Sequence, residues 1–324
     1  MAADDDAPGS LPLIEPMLAI EGQLPPAPAD EAYGVETKWD GARVISYAVG
    51  DGSLRLLSRS GDDVTAAFPE LHPLGEQLGR RQVVLDGEIV ALDDGGRPDF
   101  GRLQRRTGVV DPRKVARLAI DVPVHLMLFD VPYVDGLPRW STPYRERRML
   151  LEGMDLAGPR WTTPSYAEGH AHEAWAAALA YGHEGVVCKR LDSEYSPGRR
   201  SADWIKVVRT ETLDVVIGGW VEGRGDLRGL PGAVLVGIDA PGGLRYVGGV
   251  GSGLSDAERG ELGEYLGALA AEESPFVNPV DDEPDVRWVR PRLVVEVTAS
   301  GRTFGGRLRH PTWRRLRPDR TRPA

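Results

Sequence analysis

The stretch Ala42-Arg43-Val44-Ile45-Ser46-Tyr47-Ala48-Val49-Gly50-Asp51-Gly52-Ser53-Leu54-Arg55-Leu56-Leu57-Ser58 sets the character of the first half of the chain. Ala42–Val49 is rich in β-branched and aromatic residues, Gly50-Asp51-Gly52 is a turn signal, and Leu54–Ser58 resumes the β-like texture. Two antiparallel strands are therefore predicted here, with a third at Val83–Val90. Helical texture intervenes at Phe68–Leu78, Asp99–Arg106, Thr142–Leu151 and His172–Tyr181, the third of these opening on Ser-Thr-Pro. The result is a mixed α+β domain. After Thr210 the pattern changes to short strands at Leu213–Trp220, Ala233–Ile238, Leu244–Val250 and Leu293–Thr298, with one helical run at Ser255–Ala271. Several strands and one helix between glycine-rich turns suit a small β-barrel of the oligonucleotide-binding (OB) type. The expected organisation is a flexible tail over 1–12, a first domain over 13–209 and a second over 210–324.

Length agrees with two unequal domains, since 324 residues exceed the usual span of one. Apolar residues at 41% and charged residues at 27% are those of a globular chain with a real core, which confines disorder to the acidic, small-residue segment Met1–Ser10. No run approaches the ~18 apolar residues of a membrane helix, and the start lacks the features of a signal peptide, so a cytoplasmic protein is expected. The single cysteine, Cys188, excludes an internal disulfide and a cysteine-based metal cluster; in an apolar strand it reads as packed rather than reactive. His170 and His172 lie in a polar loop without further ligands and read as surface residues.

The formal charge of −10 argues against phosphate recognition, but the average conceals an asymmetry. From Arg287 to Arg322 the basic residues are all arginine, against only Glu296 and Asp319, and they are interleaved with Trp288, Phe304 and Trp313. That is the composition of a phosphate-contacting surface, and equally of a solvated basic face.

Chemistry enters with Glu36-Thr37-Lys38-Trp39-Asp40-Gly41-Ala42-Arg43. A lysine two residues before Asp-Gly is by itself only a surface turn. Other charged clusters follow in order, however: Ser58-Arg59-Ser60-Gly61, Leu85-Asp86-Gly87-Glu88-Ile89-Val90, Leu128-Phe129-Asp130-Val131, Glu184-Gly185-Val186-Val187-Cys188-Lys189 and Trp204-Ile205-Lys206-Val207-Val208. Each places a charge or an aromatic inside or beside an apolar strand. Such charges are seldom buried unless paired or ligand-bound, so a shared anionic ligand explains them together.

This ordered series resembles motifs I, Ia, III, IIIa, IV and V of the ATP-dependent DNA ligases, within the covalent nucleotidyltransferases. The C-terminal run from Leu308 to Arg320 is similar to the end of compact bacterial repair ligases of the C and D types, with Arg317-x-Asp-Arg320 as motif VI. The resemblance implies an α+β adenylyltransferase (ATP-grasp-like) domain of two antiparallel sheets with flanking helices, followed by an OB-fold β-barrel, with a hinge near Arg209. It implies nick sealing in duplex DNA through a Lys38–AMP intermediate and an adenylated 5′-phosphate, in DNA repair. ATP is the AMP donor and Mg²⁺ or Mn²⁺ the metal; nicked DNA and other repair proteins, such as a primase–polymerase, are the implied partners of a monomeric, nucleoid-associated enzyme.

Carried over by residue, the resemblance puts Glu36 and Thr37 at the adenine, Arg43 on the ribose side and Arg59 at a phosphate. Phe129 stacks on the base, Glu88 and Glu184 hold the metal, and Lys189, Arg200 and Lys206 surround the phosphates. Arg317 and Arg320 orient the pyrophosphate. Phe129 also fits an ordinary core, and Arg200 an exposed loop. Asp86 reads as structural, because Asp-Gly is a turn signal. A free lysine titrates near ~10.4, so an attacking amine needs neighbouring cations that disfavour the ammonium; Lys189, Lys206, Arg43 and the metal are available. The departure is Val208, where many relatives carry a second motif V lysine.

Overall fold

The computed structural model describes residues 11–280, 285–303 and 305–320. The acidic tail, Phe304 and Arg322 lie outside the described residues. The chain divides between Val208 and Arg209 into two compact units. No helix of the described residues is long and apolar enough to cross a membrane.

The first unit holds two sheets. One runs β1-β11-β10-β2-β9, where β1 is Leu18–Glu21, β2 Tyr33–Thr37, β9 Ala167–Glu168, β10 Gly185–Arg190 and β11 Arg200–Val208. The other runs β4-β3-β5-β6-β7, with β3 at Ala42–Val49, β4 at Arg55–Ser58, β5 at Gln82–Ala91, β6 at Val124–Val134, β7 at Leu137–Pro138 and β8 (Trp161–Thr162) beside β6. Pairing is antiparallel except at β1/β11 and β6/β8. The expected two antiparallel sheets with flanking helices are therefore present, each carrying one short parallel pair.

The period-2 alternation of strands assigns their faces. In β3 and β5, Val44, Ala48, Val83, Leu85 and Ile89 enter the largest core with Leu56, Leu74 and Leu126. Ile45, Tyr47 and Val84 point the other way, into a smaller cluster with Leu57 and Leu11. In β2, β10 and β11, Val35, Val186, Cys188 and Val207 pack with Ala171 and Ala178 of α5 (Ala171–Ala180). Both sheets thus spend one face on a core and leave part of the other for polar groups.

The segment 65–78 is not one helix. It breaks into two 3-10 turns, Thr65–Ala67 and Pro69–Leu71, before α1 at Pro73–Leu78. Pro69 lacks an N–H and Phe68 before it is out of helical geometry, at φ −131° and ψ 60°, whereas His72 before Pro73 stays helical. Next come α2 (Phe100–Gln104), capped by the Asp99 side chain, and α3 (Pro112–Asp121), capped by Asp111. Helix α3 was absent from the sequence reading, although Asp-Pro at N-cap and N1 was its signal. Helix α4 (Tyr144–Glu152) follows Pro143 and packs on β6.

The second unit is a six-stranded sheet ordered β14-β13-β12-β16-β17, where β12 is Glu211–Glu222, β13 Pro231–Ala240, β14 Gly243–Val250, β16 Val294–Ala299 and β17 Thr312–Leu316; β15 (Arg287–Trp288) pairs with β12. Its two ends meet. Trp313 N donates to Ser252 O at 2.9 Å and Leu308 N to Val247 O at 2.7 Å, curling the sheet into the expected OB-type barrel. Helix α6 (Asp256–Ala268) carries a complete capping box, Ser255 with Glu258. Trp313 corrects the surface reading of the arginine block: it belongs to the barrel core with Val295 and Leu262, and its ring N–H donates to Glu258 at 3.2 Å.

Candidate active site

Three strands of the first sheet set one row of side chains. Cα pairing places Lys206 opposite Val187 and Val187 opposite Glu36, and places Trp204 opposite Lys189. Paired residues share a face, so Glu36, Lys189, Trp204 and Lys206 all face away from the core formed by Val35, Cys188 and Val207. Lys38 follows β2, and its backbone N–H donates to Gly185 O at 2.9 Å, which seats it at the start of β10. A side chain at position 185 would come within 2.0 Å of Val207 O, and one at position 41 within 2.2 Å of Ile89 O. These close approaches explain why glycine follows Glu184 and why glycine follows Asp40.

The second sheet supplies the opposing wall. Arg43 on β3 stands across from Glu88 on β5. Its guanidinium grips Asp86 bidentately, Nε to Oδ1 at 2.5 Å and Nη2 to Oδ2 at 2.6 Å, while Nη2 also donates to Met17 O at 3.2 Å. Tyr195 donates to Asp86 Oδ2 at 2.6 Å. Asp86 is fully buried, and the β5/β6 register shifts on either side of it, so Asp86-Gly87 forms a bulge within a strand and not the expected turn. The Arg43 guanidinium is held firmly charged: burial works against the charge, but Asp86 outweighs it.

The two walls touch at Phe129, on β6. Its ring centroid lies 4.6 Å from the Arg43 guanidinium and 4.5 Å from the Lys189 ammonium. Lys189 is further enclosed by Trp204 at 4.2 Å and Tyr144 at 4.9 Å, and pairs with Glu36 Oε2 at 2.7 Å. Burial pulls the Lys189 amine below the ordinary lysine range, against the opposing pull of Glu36. Tyr144 donates to the other oxygen of Glu36, Oε1, and Arg148 stands 3.9 Å from it. Glu36 and Thr37 also line a cavity of about 240 Å³ with Tyr166, Tyr181 and His183.

Lys38 forms an ion pair with Glu184. Burial lifts Glu88 to about 7, with Arg43 and Lys38 pulling it back down. Among the described residues no group of three or more His, Cys, Asp or Glu converges as a metal cage. Two hard carboxylates around Lys38, with the remaining positions left to water and phosphate oxygens, nevertheless fit the habit of Mg²⁺.

Not every anticipated residue gathers here. Lys206 reaches only Glu21, at 3.4 Å, so its ammonium stays partly open to solvent. Arg200 is on the same strand, but it lies beyond the irregularity that separates Ser201 from Ile205 in the pairing with β1, and it donates to Ala19 O at the sheet edge. Arg59 is exposed on the turn after β4, without an ion-pair partner among the described residues. Lys189 is buried and paired with Glu36. In the barrel unit, Arg317 Nη1 contacts Asp214 and Glu296 at 3.1 Å each, while Nε and Nη2 grip Asp319 at 2.9 and 2.8 Å; Arg320 also pairs with Asp214. Tyr144, Arg148, Tyr195 and Asp214 were missed. The arginine pair Arg147-Arg148 in an otherwise apolar helix face was the only local hint.

Comparison with known proteins agrees with this arrangement. The family described as ATP dependent DNA ligase domain matches residues 16–207, and the ATP dependent DNA ligase C terminal region matches residues 227–320. The multifunctional non-homologous end joining DNA repair protein LigD of Mycobacterium tuberculosis (strain H37Rv) is 42% identical over 309 residues, covering 95% of this chain and 39% of that protein. The chain thus spans about two fifths of the length of this curated relative. Among solved structures, the ligase domain of M. tuberculosis LigD is 42% identical with a TM-score of 0.56, covering 95% of this chain and 96% of that one. A mycobacterial DNA ligase D complexed with ATP and MES has the same identity and coverage with a TM-score of 0.57. With a matching family over more than half of its residues and this arrangement of side chains, the chain belongs to the ATP-dependent DNA ligases.

Proposed function

We propose that this chain seals nicks in duplex DNA at the expense of ATP, in a repair setting. The observation that carries the reading is the place of Lys38: its amine stands at the cleft between the two sheets, paired with Glu184, two residues along the chain from the buried Glu36. Lys38 attacks the α-phosphate of ATP and pyrophosphate departs. AMP then passes to the 5′-phosphate at a nick, and the adjacent 3′-hydroxyl displaces AMP. Each step is a phosphoryl transfer governed by alignment and charge neutralisation.

The roles divide by wall. Glu36 and Thr37 meet the adenine edge, and Phe129 offers its ring to the base. Arg43 has two nitrogens committed to Asp86, which leaves Nη1 for the ribose side. Lys206, on the face shared with Glu36, is the phosphate lysine; Val208 follows on the same face, so a single motif V lysine serves. Arg59 contacts a phosphate, of AMP or of the nick, and Arg200 the nucleotide phosphates. Glu88 and Glu184 would hold Mg²⁺ or Mn²⁺, which when bound neutralises phosphate charge. Arg317 and Arg320, the motif VI arginines, serve to orient the leaving pyrophosphate. Residues 13–209 form the nucleotidyltransferase domain and 210–324 the OB domain.

Intact-mass and peptide mass spectrometry after incubation with ATP and Mg²⁺ tests the reading. Addition of one AMP on Lys38, with sealing of a nicked duplex that Lys38→Ala abolishes, is the expected result. AMP on another residue, or sealing by Lys38→Ala at the parental rate, refutes it.

A further inference from the structure

Both oxygens of the buried Glu36 carboxylate have a partner, and neither oxygen is saturated. Tyr144, wholly buried at the first turn of α4, donates to Oε1; Lys189, itself 2% exposed, pairs with Oε2 at 2.7 Å. A carboxylate has about four lone-pair sites, so two remain after these contacts. Tyr144 is not required to fasten its helix. Arg147 already does so through a fully buried bidentate pair with Asp130, at 2.8 and 3.0 Å, and a donation to Ser193 O at 3.0 Å. The Tyr144 hydroxyl therefore has one evident task, which is to fix the rotation of the Glu36 carboxylate.

We propose that Tyr144 is a positioning residue for base selection: with Lys189 it locks Glu36 so that the carboxylate's free lone pairs accept the exocyclic amino group of a 6-aminopurine and repel the carbonyl oxygen of a 6-oxopurine. The proposal rests on the reading of Glu36 as the adenine contact. A fixed acceptor discriminates strongly because a 6-oxo base would face it with another acceptor and leave both unpaired. A carboxylate free to rotate would turn away and discriminate less. Tyr144→Phe removes the hydroxyl and keeps the ring that packs against Tyr166 and Lys189.

The test is the rate of lysine adenylylation or inosinylation with ATP and with inosine triphosphate, measured on one preparation of each protein. Tyr144→Phe is expected to raise KM for ATP about tenfold, equivalent to about 1.4 kcal/mol, to leave kcat within about twofold, and to lower the ATP preference over inosine triphosphate about tenfold. The preference is a ratio within one sample, so a reduced folded fraction does not disturb it. An unchanged preference, or a fall in kcat alone, overturns the proposal. A parent protein that takes no AMP from ATP overturns the ligase reading instead; a parent that does so beside a Tyr144→Phe variant of equal preference removes only the role of Tyr144.

Discussion

Replacing Asp130 by Ala tests how the α4 side of the site is held. Asp130 and Arg147 are both 0% exposed and joined through two hydrogen bonds, while Arg147 also donates to the carbonyls of Thr142 and Ser193. Removing the carboxylate leaves a guanidinium buried with only neutral acceptors, and breaking one partner of such a pair costs about 3–5 kcal/mol. For a unit of this size each kcal/mol moves Tm by about 2–4 °C, so the melting temperature of Asp130→Ala should fall by roughly 6–20 °C at pH 7. Thermal unfolding followed by circular dichroism reads this directly. The double variant Asp130→Leu/Arg147→Met should recover much of the loss, because paired charges exchanged for apolar volume are close to neutral. Burial pushes the Asp130 carboxyl up, but Arg147 outweighs it and holds the group below the usual carboxylate range. The pair is therefore worth its full amount above the unfolded carboxyl pKa near ~3.9 and loses it only as pH falls through the lower folded value. The gap between parent and Asp130→Ala should stay constant from pH 8 to 5 and close only in acid. A Tm change under 2 °C, or a double variant no better than the single one, would sink this account.

Two further outcomes follow from the titrating groups. Burial raises Glu88 from 4.5 to about 7, so the folded state is favoured below the lower value and that advantage is lost as pH rises through the higher one. In metal-free buffer Glu88→Gln should gain stability over the parent between pH 5 and 8, by at most ~3 kcal/mol and by less where water reaches the partly exposed side chain; parallel melting profiles would count against it. Cys188 is buried and its thiol is pushed up to about 12 by burial, so it should react with a thiol reagent only at the rate of unfolding. Fast labelling of the folded protein at pH 8 would contradict that.

Much of the fold was legible because runs of β-branched and aromatic residues are bounded by glycine-containing turns. In β3 and β5 the β-branched and aromatic runs and the glycines of the turn between β3 and β4 announced the strands, but Val44-Ile45 and Val83-Val84 are apolar on both faces, so the face could not be read. The barrel strands were legible for the same reason. The misreadings share one cause, which is that the deciding partner lies far along the chain. Asp86-Gly87 reads as a turn until Arg43, Tyr195 and the β6 register are known to converge on it. Trp313 reads as a surface aromatic until β17 pairs with β16 and turns its ring inward. Tyr144 contacts Glu36 across 108 positions, and nothing in Pro143-Tyr144-Arg145 announces it. Where a proline decided the matter, at Pro69 and Pro112, the signal was local and available.

The site's design follows from the same division of faces. Charge in this cleft is already paired before a nucleotide arrives: Lys38 with Glu184, Arg43 with Asp86, Lys189 with Glu36. Isolated charges at such depth would each carry a heavy desolvation cost, so the pairing is what allows them to be placed there at all. It also separates the pairs by availability. In Arg43–Asp86 the carboxylate is wholly buried and the arginine 18% exposed, and Lys189–Glu36 is enclosed by aromatic rings, whereas Lys38 and Glu184 keep side-chain exposures of 23% and 10%. On the proposed reading, an arriving phosphate and a divalent cation would replace the open pair, one partner each, without adding an unbalanced charge to the interior. Preorganised walls around one exchangeable pair give oriented dipoles at the place where charge must be neutralised, and that agrees with the proposal of Lys38, in the least enclosed of the three pairs, as the nucleophile.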